Sequence, residues 1–120
     1  MRRFNFSMVG AALASLLTLS VAHSAFAQTY PNKPVKMIIP FPPGGTLDSV
    51  GRQLAQKLSV QLGQQFIVEN RPGGNGIIGA DVVAKAPTDG YTLLFNASTF
   101  TTAPMTMKQV PYSVENDFSP

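Results

Sequence analysis

Apolar runs along this chain alternate with stretches broken by Pro and Gly. The first run, Met8 to Ala22, carries no charge and follows the cationic start Met1-Arg2-Arg3. Ala25-Phe26-Ala27 then sets small residues two apart, ahead of Gln28. A positive start, an apolar run too short to span a bilayer comfortably and an A-x-A end predict a secretory signal peptide over residues 1–27, cleaved after Ala27. Arg2-Arg3 also raises a twin-arginine signal, but Phe4-Asn5-Phe6 fits that pattern poorly and the general secretory route is preferred.

Beyond the leader the pattern shortens. Val35-Lys36-Met37-Ile38-Ile39, bounded by Pro34 and Pro40, reads as a buried strand. A Pro/Gly loop over residues 41–46 follows. Leu47, Val50, Leu54, Leu58 and Leu62 then recur at three- and four-residue spacing, the core face of a helix. Thr46 is its expected N-cap, with Asp48 in the first turn facing the positive dipole end and Gly63 closing it in a left-handed turn. Residues 65–70 predict a second strand and residues 71–76 a second Gly-rich loop. A short helix is expected over 77–85, with Ile78, Val82 and Ala86 on one side. Pro87-Thr88-Asp89-Gly90 is turn chemistry. Tyr91 to Phe95 reads as a third strand, Asn96 to Thr99 as a polar loop, and a weak helix is expected from near Thr102 to Met107. Regular strand–helix alternation predicts an α/β fold, a parallel sheet with flanking helices.

Composition narrows the chemistry. The 120 residues include no Cys and one His, and the formal charge is +3. Of the nine Lys and Arg, Arg2 and Arg3 leave with the leader, so seven basic residues face six acids and the apparent basicity disappears. The single histidine, His23, leaves too. A Ser-His-Asp triad, a Cys-His pair and a His- or Cys-ligated metal are thereby excluded from residues 28–120. No cofactor, metal, nucleic-acid partner or lasting membrane span is expected, and no enzyme activity. Met105 and Met107 read as packing residues.

Ligands of open parallel sheets bind beyond the carboxyl ends of the strands. The loops 41–46, 71–76 and 96–99 all fall at such ends, and the first two lead into helix N-termini, where free amides favour an anion. Ordinary strand-to-helix turns also use Gly; three such loops on one edge favour binding. Gly74-Asn75-Gly76-Ile77-Ile78-Gly79 fits G-x-G-x-x-G, but it sits on the second strand unit rather than the first. It also lacks an acid about 20 residues on, which argues against a dinucleotide. Arg52, at i+4 from Asp48, is expected to pair with it. Arg71 is a candidate partner for an anion or a solvent-facing residue. Ser98 and Thr99, with no base beside them, read as hydrogen-bond donors rather than nucleophiles.

Five segments then occur in order: Tyr30-Pro31-x-Lys33-Pro34; Pro40-Phe41-Pro42-Pro43-Gly44-Gly45-x-x-Asp48; Val68-Glu69-Asn70-Arg71-Pro72-Gly73; Asp89-Gly90-Tyr91-Thr92-Leu93-Leu94; and Pro111-Tyr112 with Asp117-Phe118-x-Pro120. Together they resemble the Bug family, the periplasmic solute receptors of tripartite tricarboxylate transporters. The resemblance implies a periplasmic-binding-protein-like fold that holds small carboxylates (di- and tricarboxylates, acidic amino acids or aromatic acids) between two lobes and presents them to membrane permease subunits. It implies ligand contacts at Phe41, Pro42, Gly44, Gly45, Thr46 and Asp48, at Asn75 and Gly76, and at Asn96, Ser98 and Thr99. Gly51 stands where the family usually carries Ala, at a cost to the helix of up to about 1 kcal/mol.

Residues 28–120 are thus expected to be the N-terminal part of lobe one, with the second lobe absent and the chain a truncated form. The alternatives are a decayed fragment that binds nothing, a periplasmic sensor or interaction module presenting ligand to a signalling partner, and, less favoured, an exported hydrolase.

Overall fold

The computed structural model describes residues 29–120. The expected signal peptide and its cleavage site lie outside the described residues. Strands β1 (Val35–Ile39), β2 (Phe66–Asn70) and β3 (Thr92–Leu94) form a parallel sheet in the order β2-β1-β3. Val35 lies opposite Phe66 and Ile39 opposite Asn70, while Lys36 faces Thr92 on the other side. Among the described residues only β1 has a neighbour on both edges, which explains its nearly unbroken apolar sequence. Val35, Met37, Ile38 and Ile39 are all buried, with Lys36 exposed near the strand's start.

Helix α1 (Thr46–Leu62) links β1 to β2, α2 (Ile77–Ala84) links β2 to β3, and α3 (Thr99–Thr106) follows β3. Right-handed crossovers in this strand order place α1 and α2 on opposite faces of the sheet. Gly63 ends α1 in the left-handed conformation at φ 67°, its N–H donating to the Ser59 carbonyl at 3.1 Å. The Ser59 hydroxyl in turn accepts the Phe66 amide at 2.9 Å, stapling the helix end to the start of β2.

Which residues the helices bury differs from the periodic reading. In α1, Val50, Leu54 and Leu62 are exposed, and the buried residues are Asp48, Gly51 and Ala55. Small residues let the helix settle close to the sheet: a Cβ on Gly51 would stand 2.5 Å from Ile39 Cδ1 and 3.1 Å from the Phe95 ring. Leucines do not fit beneath so close a contact and flank it instead. Leu54 and Leu58 border an apolar hollow shared with Leu93, Phe95, Phe100 and Phe118. The same holds in α2, where Ile78 and Val82 are exposed and Gly79 and Ala80 are buried. A Cβ on Gly79 would meet Pro40 Cβ at 2.6 Å, Pro40 Cα at 2.9 Å and the Arg71 carbonyl at 3.0 Å. The last glycine of the G-x-G-x-x-G match therefore serves helix–strand packing.

Helix α3 begins at Thr99, three residues before the expected start, so Thr99 is helical rather than part of a loop. Its threonines return hydrogen bonds to the preceding turn, with the Thr101 and Thr102 hydroxyls donating to the Ser98 carbonyl at 3.0 and 3.1 Å. Pro104 cannot donate to the Phe100 carbonyl, and the Tyr112 hydroxyl does so instead at 3.3 Å. The rings of Phe100, Tyr112 and Phe118 pack together around that bond. Met105 and Met107, expected to pack, are exposed.

The segments preceding β1 and β3 clasp each other at the amino end of the sheet. The Tyr30 hydroxyl donates to the Gly90 carbonyl at 2.6 Å. The Tyr91 hydroxyl accepts the Asn32 amide at 3.0 Å and donates to Asn32 Oδ1 at 2.8 Å. Lys33 pairs with Asp89 at 3.2 Å and lies 4.2 Å from the Tyr91 ring centroid.

Candidate functional site

The loops after β1, β2 and β3 meet at the opposite, carboxyl end. Loop 2 arrives there through a run of positive φ: Gly73 at 134°, Gly74 at 56°, Asn75 at 55° and Gly76 at 93°. Gly76, whose φ favours glycine, lies at ordinary contact distance from the other two loops. A Cβ would stand 3.5 Å from Phe41 Cζ and 3.6 Å from both Asn96 Oδ1 and Pro40 Cγ. Three residues anticipated from the sequence, Phe41, Gly76 and Asn96, thus come together from three separate loops.

Asn96 is fixed in orientation. Its Oδ1 accepts the Ala97 amide at 2.7 Å and the Thr99 hydroxyl at 3.5 Å. An oxygen must therefore occupy that position, which leaves Nδ2 as the other terminus, buried without a hydrogen-bond partner. A buried donor left unmatched costs about 1–3 kcal/mol.

Pro42, Gly44, Gly45 and Thr46 form an exposed lip at the start of α1. Gly45, not Thr46, is the N-cap, and no side chain caps the helix. Thr46 is already helical, so its hydroxyl does not take the capping position. The first intrahelical bond is from Ser49 N to the Gly45 carbonyl at 3.0 Å. The preceding amides of the first turn have no partner within the helix. Asn75 and Ser98 are exposed at the rim.

Asp48 lies beneath the lip and is 4% exposed. Its Oδ2 accepts Arg52 Nε at 3.0 Å and the Gly44 amide at 2.9 Å, and its Oδ1 accepts Asn70 Nδ2 at 2.8 Å. The Arg52 hydrogen bond, then those from Gly44 and Asn70, hold the Asp48 carboxyl well below the usual carboxylate range. Asn70 also accepts Arg52 Nη2 at 2.9 Å and donates to the Phe41 carbonyl at 3.1 Å. Asp48, Arg52 and Asn70 therefore form a closed ring of hydrogen bonds. Pattern reasoning found the Asp48–Arg52 pair but missed Asn70, which reaches the ring only because β2 pairs with β1. Arg71 is taken by Glu69, with which it forms an ion pair.

The assembled groups can bind and orient. Among the described residues no three His, Cys, Asp or Glu side chains gather as a metal site, and no helix is long and apolar enough to cross a membrane.

A three-stranded parallel sheet with flanking helices, its loops gathered at the carboxyl edge, has the α/β architecture of part of a periplasmic binding protein. Residues 50–120 match the family described as "Tripartite tricarboxylate transporter family receptor", and the chain belongs to that family. Protein BugT of Bordetella pertussis is 44% identical over 110 residues, covering 88% of this chain and 33% of BugT. The periplasmic binding protein BugD has a similar structure, with a TM-score of 0.67 and 43% identity over 70% of this chain and 28% of that one. MatC of Rhodopseudomonas palustris, solved with bound malate, matches at a TM-score of 0.52 and 37% identity over 54% of this chain and 22% of MatC. The chain spans about a third of the length of the relatives it matches. The family is one of transporter receptors, not of enzymes.

Proposed function

We propose that residues 28–120 form the opening part of the first lobe of an exported solute receptor, and that its carboxyl-edge loops hold one carboxylate of a small organic acid. The observation that carries this reading is the uncapped start of α1 beside the junction of Phe41, Gly76 and Asn96. Free first-turn amides and the positive end of a 17-residue helix favour an anion there. The Asn96 side-chain amide adds an unmatched donor at the same edge. Asp48 is repulsive to a carboxylate unless neutralised, and Arg52 neutralises it. Its oxygens are committed to the loop, so in this reading Asp48 shapes the lip and Gly44 to Thr46 face the ligand.

Malate bound to MatC supports small dicarboxylates as the ligand class. On this reading the mature chain is periplasmic after cleavage following Ala27, and the partner is the permease of a tripartite tricarboxylate transporter.

Amide chemical shifts of the 15N-labelled mature chain, titrated with malate, citrate and glutamate, test the site. The expected result is saturable movement of the Thr46, Leu47 and Gly76 amides and of the Asn96 side-chain signal with at least one acid. If none of the three acids moves any of these signals, the reading fails.

A further inference from the structure

The ring of Asp48, Arg52 and Asn70 holds loop 1 at two points. Asp48 accepts the Gly44 amide at 2.9 Å, and Asn70 donates to the Phe41 carbonyl at 3.1 Å. The intervening Pro42 and Pro43 have no backbone N–H, so the loop has few other ways to anchor itself. Gly44 sits at φ 86° with nothing within 4 Å of a Cβ position, so packing does not hold that turn either. Within the ring, each residue bonds both others at 2.8–3.0 Å. Asp48 and Arg52 both lie on α1, and Asn70 comes from the end of β2. It uses both Nδ2 hydrogens and Oδ1, so no other residue type matches its donor and acceptor set at that length.

From this we infer that Asn70 is a positioning residue: it fixes the shape of loop 1 and registers that loop on the end of β2, without touching ligand itself. The inference rests on the reading of loop 1 as a ligand contact. In the ring, Asn70 does what a second backbone strand would do for a longer loop. The ring sits at the end of the β1–β2 ladder, where the next residue, Arg71, donates its amide to the Ile39 carbonyl at 2.8 Å.

The test compares Asn70→Ala with the unmodified mature chain by amide hydrogen exchange and by titration with malate, citrate and glutamate. Lys33→Ala, at the far end of the sheet, serves as control. Gly44 reports the loop, and Lys36, whose amide bonds the Tyr91 carbonyl at 2.9 Å, reports the sheet. The expected result for Asn70→Ala is Gly44 exchange faster by about tenfold or more, Lys36 exchange unchanged, and affinity for the bound acid weaker by about tenfold. Lys33→Ala is expected to leave Gly44 exchange and affinity alone. Equal acceleration at Gly44 and Lys36 would reduce Asn70 to a general stabiliser and overturn the inference. So would a freed Gly44 with unchanged affinity. If the unmodified chain binds none of the three acids, the receptor reading falls while Gly44 exchange still decides whether Asn70 sets the loop.

Discussion

At the amino end of the sheet, residues 30–33 and 89–91 close on each other through side chains whose polar groups answer one another. At the carboxyl end, four successive residues turn the backbone through positive φ, α1 starts without a side-chain cap, and the Asn96 amide is left buried and unmatched. Both ends carry motifs of the same family, so motif strength alone does not mark a ligand site. The amino-end groups are spent on folding. At the carboxyl end the Asp48–Arg52–Asn70 ring is equally spent, but the uncapped start of α1 and the Asn96 side-chain amide keep bonding capacity unused, which the proposed binding role would employ.

The sharpest way to break this contrast is at the carboxyl end. Gly79→Ala forces a Cβ against Pro40 and the Arg71 carbonyl, backbone and ring atoms that cannot swing aside. Overpacking of this kind costs about 2–3 kcal/mol. Urea unfolding should show it in full, despite alanine's better helix propensity. A stability gain would mean that α2 does not rest on Pro40. At the amino end, Tyr91→Phe keeps the ring contacts with Tyr30 but removes both hydrogen bonds to Asn32. The expected loss is about 1 kcal/mol, measured the same way, with no change in any ligand-induced shift at Thr46.

Much of the fold is legible in the sequence because strand and helix periods survive tertiary packing. The strand at residues 35–39 is found to the residue, and the helix after it to within one. The burial of that helix is not legible. Periodicity weighs hydrophobicity, whereas Gly51 and Ala55 are buried by size, because the closest approach of helix to sheet admits only small residues. The early start of α3 was hidden by its threonines, poor helix formers whose hydroxyls satisfy the preceding turn. At the site, the three loops could be placed by topology. Asn70 could not, since its partners Asp48 and Arg52 lie 22 and 18 residues away and meet it only through strand pairing.

Acid should separate the two ends. Arg52, Gly44 and Asn70 depress Asp48, while the Tyr91 amide and then Lys33 depress Asp89. A carboxyl whose folded pKa is lowered adds stability above its unfolded value, near 4, and that contribution is lost as pH falls through the folded value. Neutral and mildly basic solutions should therefore leave both ends intact. Below about pH 4, the carboxyl resonance of Asp89 should titrate before that of Asp48, so the amino-end clasp loosens while the ring still holds loop 1. Titration in the reverse order would mean that the ring is the weaker of the two.

The smallest effect belongs to Lys33→Ala. Lys33 and Asp89 are both substantially exposed, with side-chain exposures of 57% and 43%. Water and salt screen such a pair, and the adjacent Tyr91 ring adds only a modest cation–π contact. The melting temperature should fall by about one or two degrees. The difference between variant and parent should shrink as salt rises from low to about 0.5 M, where screening reaches within a few ångströms. Gly44 exchange should not change. A fall of ten degrees, or one insensitive to salt, would show that Lys33 holds the clasp by packing its stem on Tyr91 rather than by charge. The amino end would then owe its stability to apolar contact, and the contrast between the two ends would have to be redrawn on that basis.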